Sequence, residues 1–122
     1  MGRVLVADDE PAFAEFVRRV VAGRGHTVVI AHDGAEAARA LDLQKFDLLL
    51  ADIRMPMMDG ITLALQVADR HPETKVVLVT GFADERDRAR GLEGLVARVL
   101  AKPLMPEELL AVVDDLVPGT GG

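Results

Sequence analysis

Short, nearly unbroken apolar runs recur along the chain, separated by stretches with a different periodicity. They occupy residues 3–7, 27–31, 46–51, 75–79 and 97–101. Runs that are apolar at consecutive positions, and not only at alternate ones, are typical of strands buried on both faces of a parallel sheet. The pattern therefore predicts a parallel sheet with one strand in each run.

The stretches between these runs place apolar residues at helical spacing. After the first run, one face of a helix is outlined by Phe13, Phe16, Val17, Val20 and Val21. Pro11 suits the first position of this helix, and Gly23 or Gly25 is placed to end it. We therefore expect the first helix to pack on the sheet through its phenylalanine and valine side.

Three later helices have start or stop signals of their own. The second opens at Asp33, in a sequence that resembles a capping box with Asp in place of Ser or Thr. The third follows Asp59-Gly60 and ends before Pro72. The last begins near Pro106, and its pattern predicts four inward side chains: Leu109, Val112, Val113 and Leu116.

Residues 84–95 differ from the other segments because they are highly charged and contain two glycines. Few of their side chains have the spacing of a core-facing helix, so we expect any helix here to be loosely packed. Leu92 and Leu95 are either ordinary core residues or part of a partner-binding surface.

The alternation of strands and helices predicts an α/β fold with right-handed crossovers. A length of 122 residues suits one domain. We expect that domain at 1–117 and a flexible tail at 118–122.

Composition excludes several classes of function. The sequence contains no cysteine, so disulfides, thiolate zinc sites and thiol catalysis are excluded. A net charge of −6 argues against direct binding of nucleic acid. No apolar run approaches the ~20 residues that a bilayer requires, and the amino terminus does not read as a signal peptide. We expect a soluble cytoplasmic protein without a membrane contact.

Polar residues follow four of the predicted strands, at the point where each strand ends. They are Asp8 and Asp9, then Asp52, then Thr80, then Lys102. Taken alone, Asp8 and Asp9 suit a helix cap equally well, and Asp52 suits a turn. Parallel strands lie about 4.8 Å apart and end at one edge of the sheet, so we expect these groups to converge.

Three carboxylates at one edge repel each other, by on the order of 4 kcal/mol for each pair about 4 Å apart at a dielectric of about 20. Lys102 offsets one negative charge, and the remainder favours a divalent cation. Oxygen ligands without His or Cys favour Mg²⁺, or Mn²⁺ in its place. With Thr80 and Lys102 nearby, Asp52 has the surroundings of a phosphoryl-accepting nucleophile.

The stretches VADDE, LLLADIRMPMMDG, VVLVTGF and LAKPL together resemble the response-regulator receiver domain of the CheY-like superfamily. The resemblance covers residues 3 to about 117, and it depends on all four stretches occurring in this order. It implies a flavodoxin-like sheet with strand order 2-1-3-4-5, an order for which a receiver is a standard example.

The resemblance also assigns roles at the phosphoryl site. Asp52 is the implied phosphoacceptor, Thr80 the switch hydroxyl and Lys102 the cation that contacts the phosphoryl group. Receivers usually have a cis peptide bond at the position of Lys102-Pro103. We therefore expect Thr80, Val99, Lys102 and Pro103 to form the switch and its output.

A metal site is implied in the same way. Asp9 and Asp52 are expected to bind Mg²⁺ directly, and Asp8 through water. The backbone carbonyl of Arg54 is the expected third protein ligand.

The sequence departs from the family at two positions. Val99 stands where receivers often have Tyr or Phe, so the aromatic rotamer switch that usually couples to Thr80 is missing. Leu104 replaces a common Phe after Lys-Pro. The motifs VTGFA and VLAKP are similar in sequence to those of small single-domain regulators of the CpdR type. Those regulators control regulated proteolysis and the bacterial cell cycle.

The resemblance implies a phosphorelay switch. A sensor histidine kinase or a phosphotransfer protein would phosphorylate Asp52, and the 84–117 face would then change its binding of a downstream protein. The only catalysis implied is the chain's own phosphorylation and slow autodephosphorylation. We expect a monomer or a weak, phosphorylation-dependent dimer.

Other interpretations remain open. The chain would alternatively be a constitutive pseudo-receiver that binds a protein, or a receiver excised from a larger regulator or hybrid kinase. An aspartyl phosphatase would need an acid where Arg54 stands, and a nucleotide binder would need a glycine-rich loop after the first strand. His26, His32 and His71 are expected at the surface, without a role in phosphoryl transfer.

Overall fold

The computed structural model of the chain describes residues 2–92 and 94–117. Within these ranges, parallel strands alternate with helices in one five-stranded sheet of order β2-β1-β3-β4-β5. This is the flavodoxin-like α/β arrangement that the sequence predicted. The predicted tail at 118–122 lies outside the described residues.

The elements follow one another along the chain in strict alternation, apart from one 3-10 turn. Their bounds are β1 Arg3–Ala7, α1 Pro11–Gly23, β2 Thr27–Ala31, α2 Gly34–Leu43, β3 Leu48–Asp52, α3 Gly60–Arg70, β4 Lys75–Thr80, α4 Ala83–Ala89, the 3-10 turn Arg90–Leu92, β5 Arg98–Ala101 and α5 Pro106–Leu116. In the described part of the chain, no helix has both the length and the apolar character needed to cross a bilayer.

The core lies in two layers, one on each face of the sheet. Leu5 and Leu49 point into the layer beneath α2, α3 and α4, whereas Val4 and Leu50 point into the layer beneath α1 and α5. Successive side chains of a strand point to opposite faces, so a strand covered on both faces must be apolar at consecutive positions. The apolar runs are unbroken because helices cover both faces of the sheet.

The third strand differs from its prediction at 46–51. It begins at Leu48 and ends at Asp52, which pairs with Val79 of β4. Phe46 is buried but precedes the strand, and its carbonyl accepts a hydrogen bond from the Thr74 hydroxyl at 2.8 Å. The phosphoacceptor candidate is therefore the last residue of the strand and not the first residue of a loop.

Most helix signals are confirmed. Pro11 occupies the first turn of α1, which ends at Gly23, and the four predicted side chains of α5 are buried. In α2, the Asp33 carboxylate accepts a hydrogen bond from the Glu36 backbone at 2.7 Å. The return bond expected of a capping box differs, because the Glu36 carboxylate accepts from the His32 backbone at 3.3 Å.

The charged segment forms α4 and the 3-10 turn after it. Two of its side chains, Glu85 and Ala89, are buried. Leu92 packs half-buried against the core, whereas Leu95 is 39% exposed. The core interpretation is therefore better suited to Leu92 than to Leu95.

The expectation of surface histidines is wrong for His26. Its ring is 5% exposed, and Nδ1 accepts a hydrogen bond from the Gly2 backbone at 2.9 Å. His32 is exposed as predicted, and His71 is half-buried with Nε2 3.2 Å from Asp42.

Candidate functional site

The strand order brings the predicted polar residues to one edge of the sheet. Asp8 directly follows β1, Asp52 ends β3, Thr80 ends β4, and Lys102 directly follows β5. Because the strands are parallel, these positions all lie at their carboxyl ends. This is the edge at which open α/β sheets bind their ligands.

The Lys102 ammonium lies at the centre of the site. It donates hydrogen bonds to Asp8 at 3.0 Å, to Glu10 at 2.8 Å and to Asp52 at 3.1 Å. The same nitrogen lies 4.2 Å from the centroid of the Phe13 ring, within the range of a cation–π contact. One cation thus links the ends of β1, β3 and β5.

The pKa values of these groups reflect burial and this pairing. Burial raises the pKa of Asp8, the hydrogen bonds from Glu10 and Lys102 partly oppose that rise, and the charge of Asp52 adds to it. The hydrogen bond from Lys102 lowers the pKa of Glu10. Burial lowers the pKa of Lys102, but its hydrogen bonds to the three acids outweigh burial, so its pKa is raised. Lys102 is therefore fully charged at neutral pH.

The acids brought together differ from the set that the sequence indicated. Carboxylate oxygens of Asp8, Glu10 and Asp52 all lie within 4.8 Å of one another. Asp9 is exposed and lies outside this group, so its role as a metal ligand stays a prediction. Sequence reasoning missed Glu10, because the sequence does not indicate which of the adjacent acids at positions 9 and 10 meets Lys102.

The donor set of this group suits a hard divalent cation. Asp8, Glu10 and Asp52 offer only oxygen ligands, and among the described residues Lys102 is the one cation that hydrogen-bonds to them. With all acids ionised, the group has an excess of negative charge. Oxygen ligands in this arrangement favour Mg²⁺ over softer metals.

The backbone beneath Asp52 is closely packed. The Gly60 amide donates to the Ile53 carbonyl at 2.8 Å, and a Cβ on Gly60 would lie 2.4 Å from the Asp52 carbonyl oxygen. Asp59 caps α3 by accepting from the Thr62 amide at 2.8 Å. The Asp-Gly pair therefore begins α3 directly against the backbone of the phosphoacceptor candidate, where only glycine fits.

Thr80 and Arg54 lie near Asp52, but their side chains contact residues at the start of α4. The Thr80 hydroxyl is fully buried and accepts a hydrogen bond from the Phe82 amide at 3.1 Å. The Arg54 amide donates to the Asp52 carboxylate at 3.2 Å. The Arg54 guanidinium stacks on Phe82, with its central carbon 3.8 Å from the ring centroid.

The two predicted output positions on the β5 side are also located. Val99 lies half-buried in β5 and lines a cavity of about 310 Å³ between that strand and α4, together with Arg86, Ala89 and others. The Lys102-Pro103 bond is cis, as the resemblance implied. The structure therefore shows open space near the position where receivers often have an aromatic ring.

Comparison with known proteins gives the family. The family model of the response regulator receiver domain matches residues 4–114. Response regulator MprA of Mycobacterium ulcerans is 35% identical over 109 residues, which are 89% of this chain and 47% of MprA. The chain thus spans about half the length of the curated relatives it matches.

Solved structures agree over nearly the whole chain. Response regulator TrrA of Thermotoga maritima, in complex with Mg²⁺-BeF, is 26% identical with a TM-score of 0.86, covering 96% of this chain and 100% of that one. The receiver domain of a histidine kinase from Syntrophus aciditrophicus is 30% identical with a TM-score of 0.85, covering 95% and 89%. The sequence match and the shared fold together show that the chain belongs to the response regulator receiver domain family, the signalling switches of two-component systems.

Proposed function

We propose that this chain is a phosphoacceptor switch whose Asp52 receives a phosphoryl group from a phosphohistidine. The observation that supports it most directly is the position of Asp52, which ends β3 with its carboxylate 3.1 Å from the Lys102 ammonium. The donor would be a sensor histidine kinase or a phosphotransfer protein. The transfer would change which protein the chain binds.

The chemistry follows from the groups around Asp52. A carboxylate oxygen of Asp52 attacks phosphorus, a P–O bond forms, and the P–N bond to the donor histidine breaks. Lys102 offsets charge on the phosphoryl oxygens, and the Thr80 hydroxyl donates to one of them after it turns from Phe82. Such a transfer depends mainly on positioning and charge stabilisation.

Mg²⁺, or Mn²⁺, fits the acidic group and would neutralise phosphoryl charge when bound. We propose Asp8, Asp9 and Asp52 as its carboxylate residues, with the Arg54 carbonyl as a further ligand. Glu10 joins this set as a candidate, because its carboxylate lies with those of Asp8 and Asp52.

Phosphorylation adds negative charge and acceptor oxygens at the end of β3. Drawing Thr80 and Lys102 toward them would shift the ends of β4 and β5 and, with them, α4 and α5. The proposed output surface is the 84–117 face. We place the protein in the cytoplasm as a monomer or weak phosphorylation-dependent dimer, without direct nucleic-acid contact.

One observation favours a second arrangement of the same switch. The curated relatives are about twice as long as the matched region, and one solved neighbour is the receiver domain of a histidine kinase. A receiver of this kind would control a domain attached to it rather than a separate partner. The chemistry at Asp52 would be the same in both cases.

The test is incubation of the purified chain with acetyl phosphate and Mg²⁺, followed by intact mass spectrometry. We expect the mass of one phosphoryl group to be added. The gain should be absent in Asp52→Asn and in the presence of EDTA. Asp42→Asn, which changes an exposed aspartate on α2, should be phosphorylated like the parent.

A constitutive binding module would behave differently in this experiment. It would gain no mass, and beryllofluoride with Mg²⁺ would leave its amide spectrum unchanged. That pair of results would overturn the proposal.

A further inference from the structure

We propose that Phe82 and Glu85 are positioning residues that hold the Arg54 side chain on α4 in the resting state, and that phosphorylation of Asp52 releases it. Arg54, Phe82 and Glu85 are called the clasp below. The inference rests on the proposed function of Asp52 and names the contact through which that site would move α4.

The resting contacts of Arg54 are specific. Its guanidinium lies 3.8 Å from the Phe82 centroid and donates to the Glu85 carboxylate at 3.3 Å. A guanidinium stacked on a ring and paired with an acid has its planar face and its edge both engaged. The side chain of a residue beside the phosphoacceptor is thus bound to the first turns of α4.

Glu85 is a buried acid with two arginine partners. Its side chain is only 10% exposed; Arg54 pairs with Oε1, and Arg88 pairs with Oε2 at 2.8 Å. Arg88 also lies 3.8 Å from Asp59, the cap of α3. A buried carboxylate is stable only when paired, so Glu85 ties α4 to the loop between β3 and α3.

Both ends of the clasp begin at the phosphoryl site. The Arg54 amide contacts the Asp52 carboxylate at 3.2 Å, and the Phe82 amide contacts the Thr80 hydroxyl at 3.1 Å. Phe82 is the residue before α4, and its carbonyl accepts a hydrogen bond from the Arg86 amide at 3.2 Å, so a shift of Phe82 also moves the first turn of α4. A change at Asp52 or Thr80 therefore reaches the clasp through one hydrogen bond.

Phosphorylation acts against both contacts. When the Thr80 hydroxyl turns to a phosphoryl oxygen, the Phe82 amide loses its acceptor. The added negative charge also competes with Glu85 for the Arg54 guanidinium, which pairs strongly with phosphate. Both effects weaken the contacts of Arg54 with Phe82 and Glu85, so both favour release of Arg54 from α4.

The clasp contains an aromatic ring that is coupled to Thr80, which Val99 cannot provide. Valine has no ring whose rotamer could report the position of Thr80. Phe82 does have such a ring, and its own amide is bonded to the Thr80 hydroxyl. An aromatic side chain on the loop before α4 would then take the place of one on β5.

The absence of Trp and Tyr from the chain gives a direct probe. Phe82→Trp would be its sole tryptophan, and an indole stacks on a guanidinium at least as well as a phenyl ring. We expect its emission to shift to the red when beryllofluoride and Mg²⁺ are added, because the ring leaves Arg54 for solvent. Adding Arg54→Met should shift the resting emission in the same direction and shrink the later change.

Hydrogen exchange on the chain with its native Phe82 gives a second readout. Before any activation, Arg54→Met should raise the exchange of the α4 amides by about fivefold, since a partly buried ion pair is lost. Arg86→Met removes the same charge from α4 itself and should leave that exchange near the parent value. In the parent, beryllofluoride should raise the exchange of α4 to the level of Arg54→Met.

The outcomes separate this inference from the proposed function. Uptake of a phosphoryl group by Asp52, with tryptophan emission and α4 exchange both unchanged, would overturn the clasp and leave the phosphoacceptor intact. Equal exchange in Arg54→Met and the parent would overturn it as well, whatever happens at Asp52. Failure of Asp52 to take up either phosphoryl or beryllofluoride would instead overturn the proposed function.

Discussion

Two charged groups adjoin the backbone that follows β3, and their charge balance is opposite. In the first, Asp8 and Asp52 share the single ammonium of Lys102 with Glu10. In the second, Glu85 alone is paired with the arginines at positions 54 and 88. Asp8, Asp52 and Glu85 are buried and Glu10 is exposed, yet only the first group has an excess of acid.

The difference shows how charge balance separates a ligand site from a structural tie. A buried acid with sufficient cations of its own has no need of a ligand. A group of acids with one cation is stabilised by any further positive charge. A cation bound there can also be replaced by another cation. The acid-rich group is therefore suited to metal and phosphoryl chemistry, and the arginine-rich group to holding an element in place.

The strongest test of this contrast is removal of the shared cation by Lys102→Met. We expect phosphorylation by acetyl phosphate to slow by at least about 100-fold, because a preorganised positive group is lost from the phosphoryl site. Mg²⁺ should nevertheless bind several-fold more tightly, since the cation that competes with it is gone. Intact mass and calorimetry measure the two effects.

Arg88→Met is the matched change in the arginine-rich group. It should leave the affinity for Mg²⁺ unchanged. If both variants weaken Mg²⁺ binding, the two groups do not differ in the way their charges indicate.

A second test compares a glycine packed against the Asp52 backbone with a glycine in the turn that follows α4. Gly60→Ala should lower the free energy of unfolding by about 1–3 kcal/mol, because the new methyl group would overlap the Asp52 carbonyl. Gly91→Ala, in the 3-10 turn after α4, meets no atom within 4 Å and should be neutral or slightly stabilising. Urea denaturation measures both, and equal losses would mean that the two regions are packed alike.

A third test exchanges one acid in each group for its amide. In EDTA at neutral pH, Asp8→Asn should raise the free energy of unfolding by about 1 kcal/mol, since it removes repulsion among the acids. Glu85→Gln should lower it by about 1 kcal/mol, because two arginines lose the charge of a shared partner. Changes of the same sign in urea denaturation would contradict the contrast.

The smallest expected effect concerns His26, a buried base outside both groups. Burial lowers the pKa of His26 below its ordinary value of 6.5, so the folded chain keeps the ring neutral. Its contribution to stability is complete above that value and is lost as the pH falls toward the lowered pKa. His26→Gln keeps an acceptor for the Gly2 amide and should lose less stability between about pH 7.5 and about pH 5.5. A parallel pH dependence in both proteins would argue against this.

The fold and the edge of the sheet that bears the site were predictable because they depend on repeated patterns. Consecutive apolar residues in five runs fix a doubly covered sheet, and the strand ends then place Asp52, Thr80 and Lys102 at one edge. Each of these features depends on many residues together. An error of one or two positions in a strand boundary, as at β3, therefore leaves the predicted fold unchanged.

The choice of side-chain partners was not predictable in the same way. Asp9 and Glu10 are adjacent acids, and only the direction of the loop after β1 decides that Glu10 meets Lys102. The contact of Arg54 with α4 likewise depends on the turn before a helix that has few sequence signals. His26 was misplaced because polarity suggested the surface, whereas the Gly2 amide supplies a buried partner.

The sheet order has a practical consequence for measurement. The site draws its groups from the ends of β1, β3, β4 and β5, and β2 at the edge of the sheet supplies none. Leu43, which ends α2 beside that edge, is 84% exposed. Since the sequence has no cysteine, Leu43→Cys would give a chain with a unique thiol. A spin label or dye attached there would follow tumbling and partner capture without touching the residues that do the chemistry.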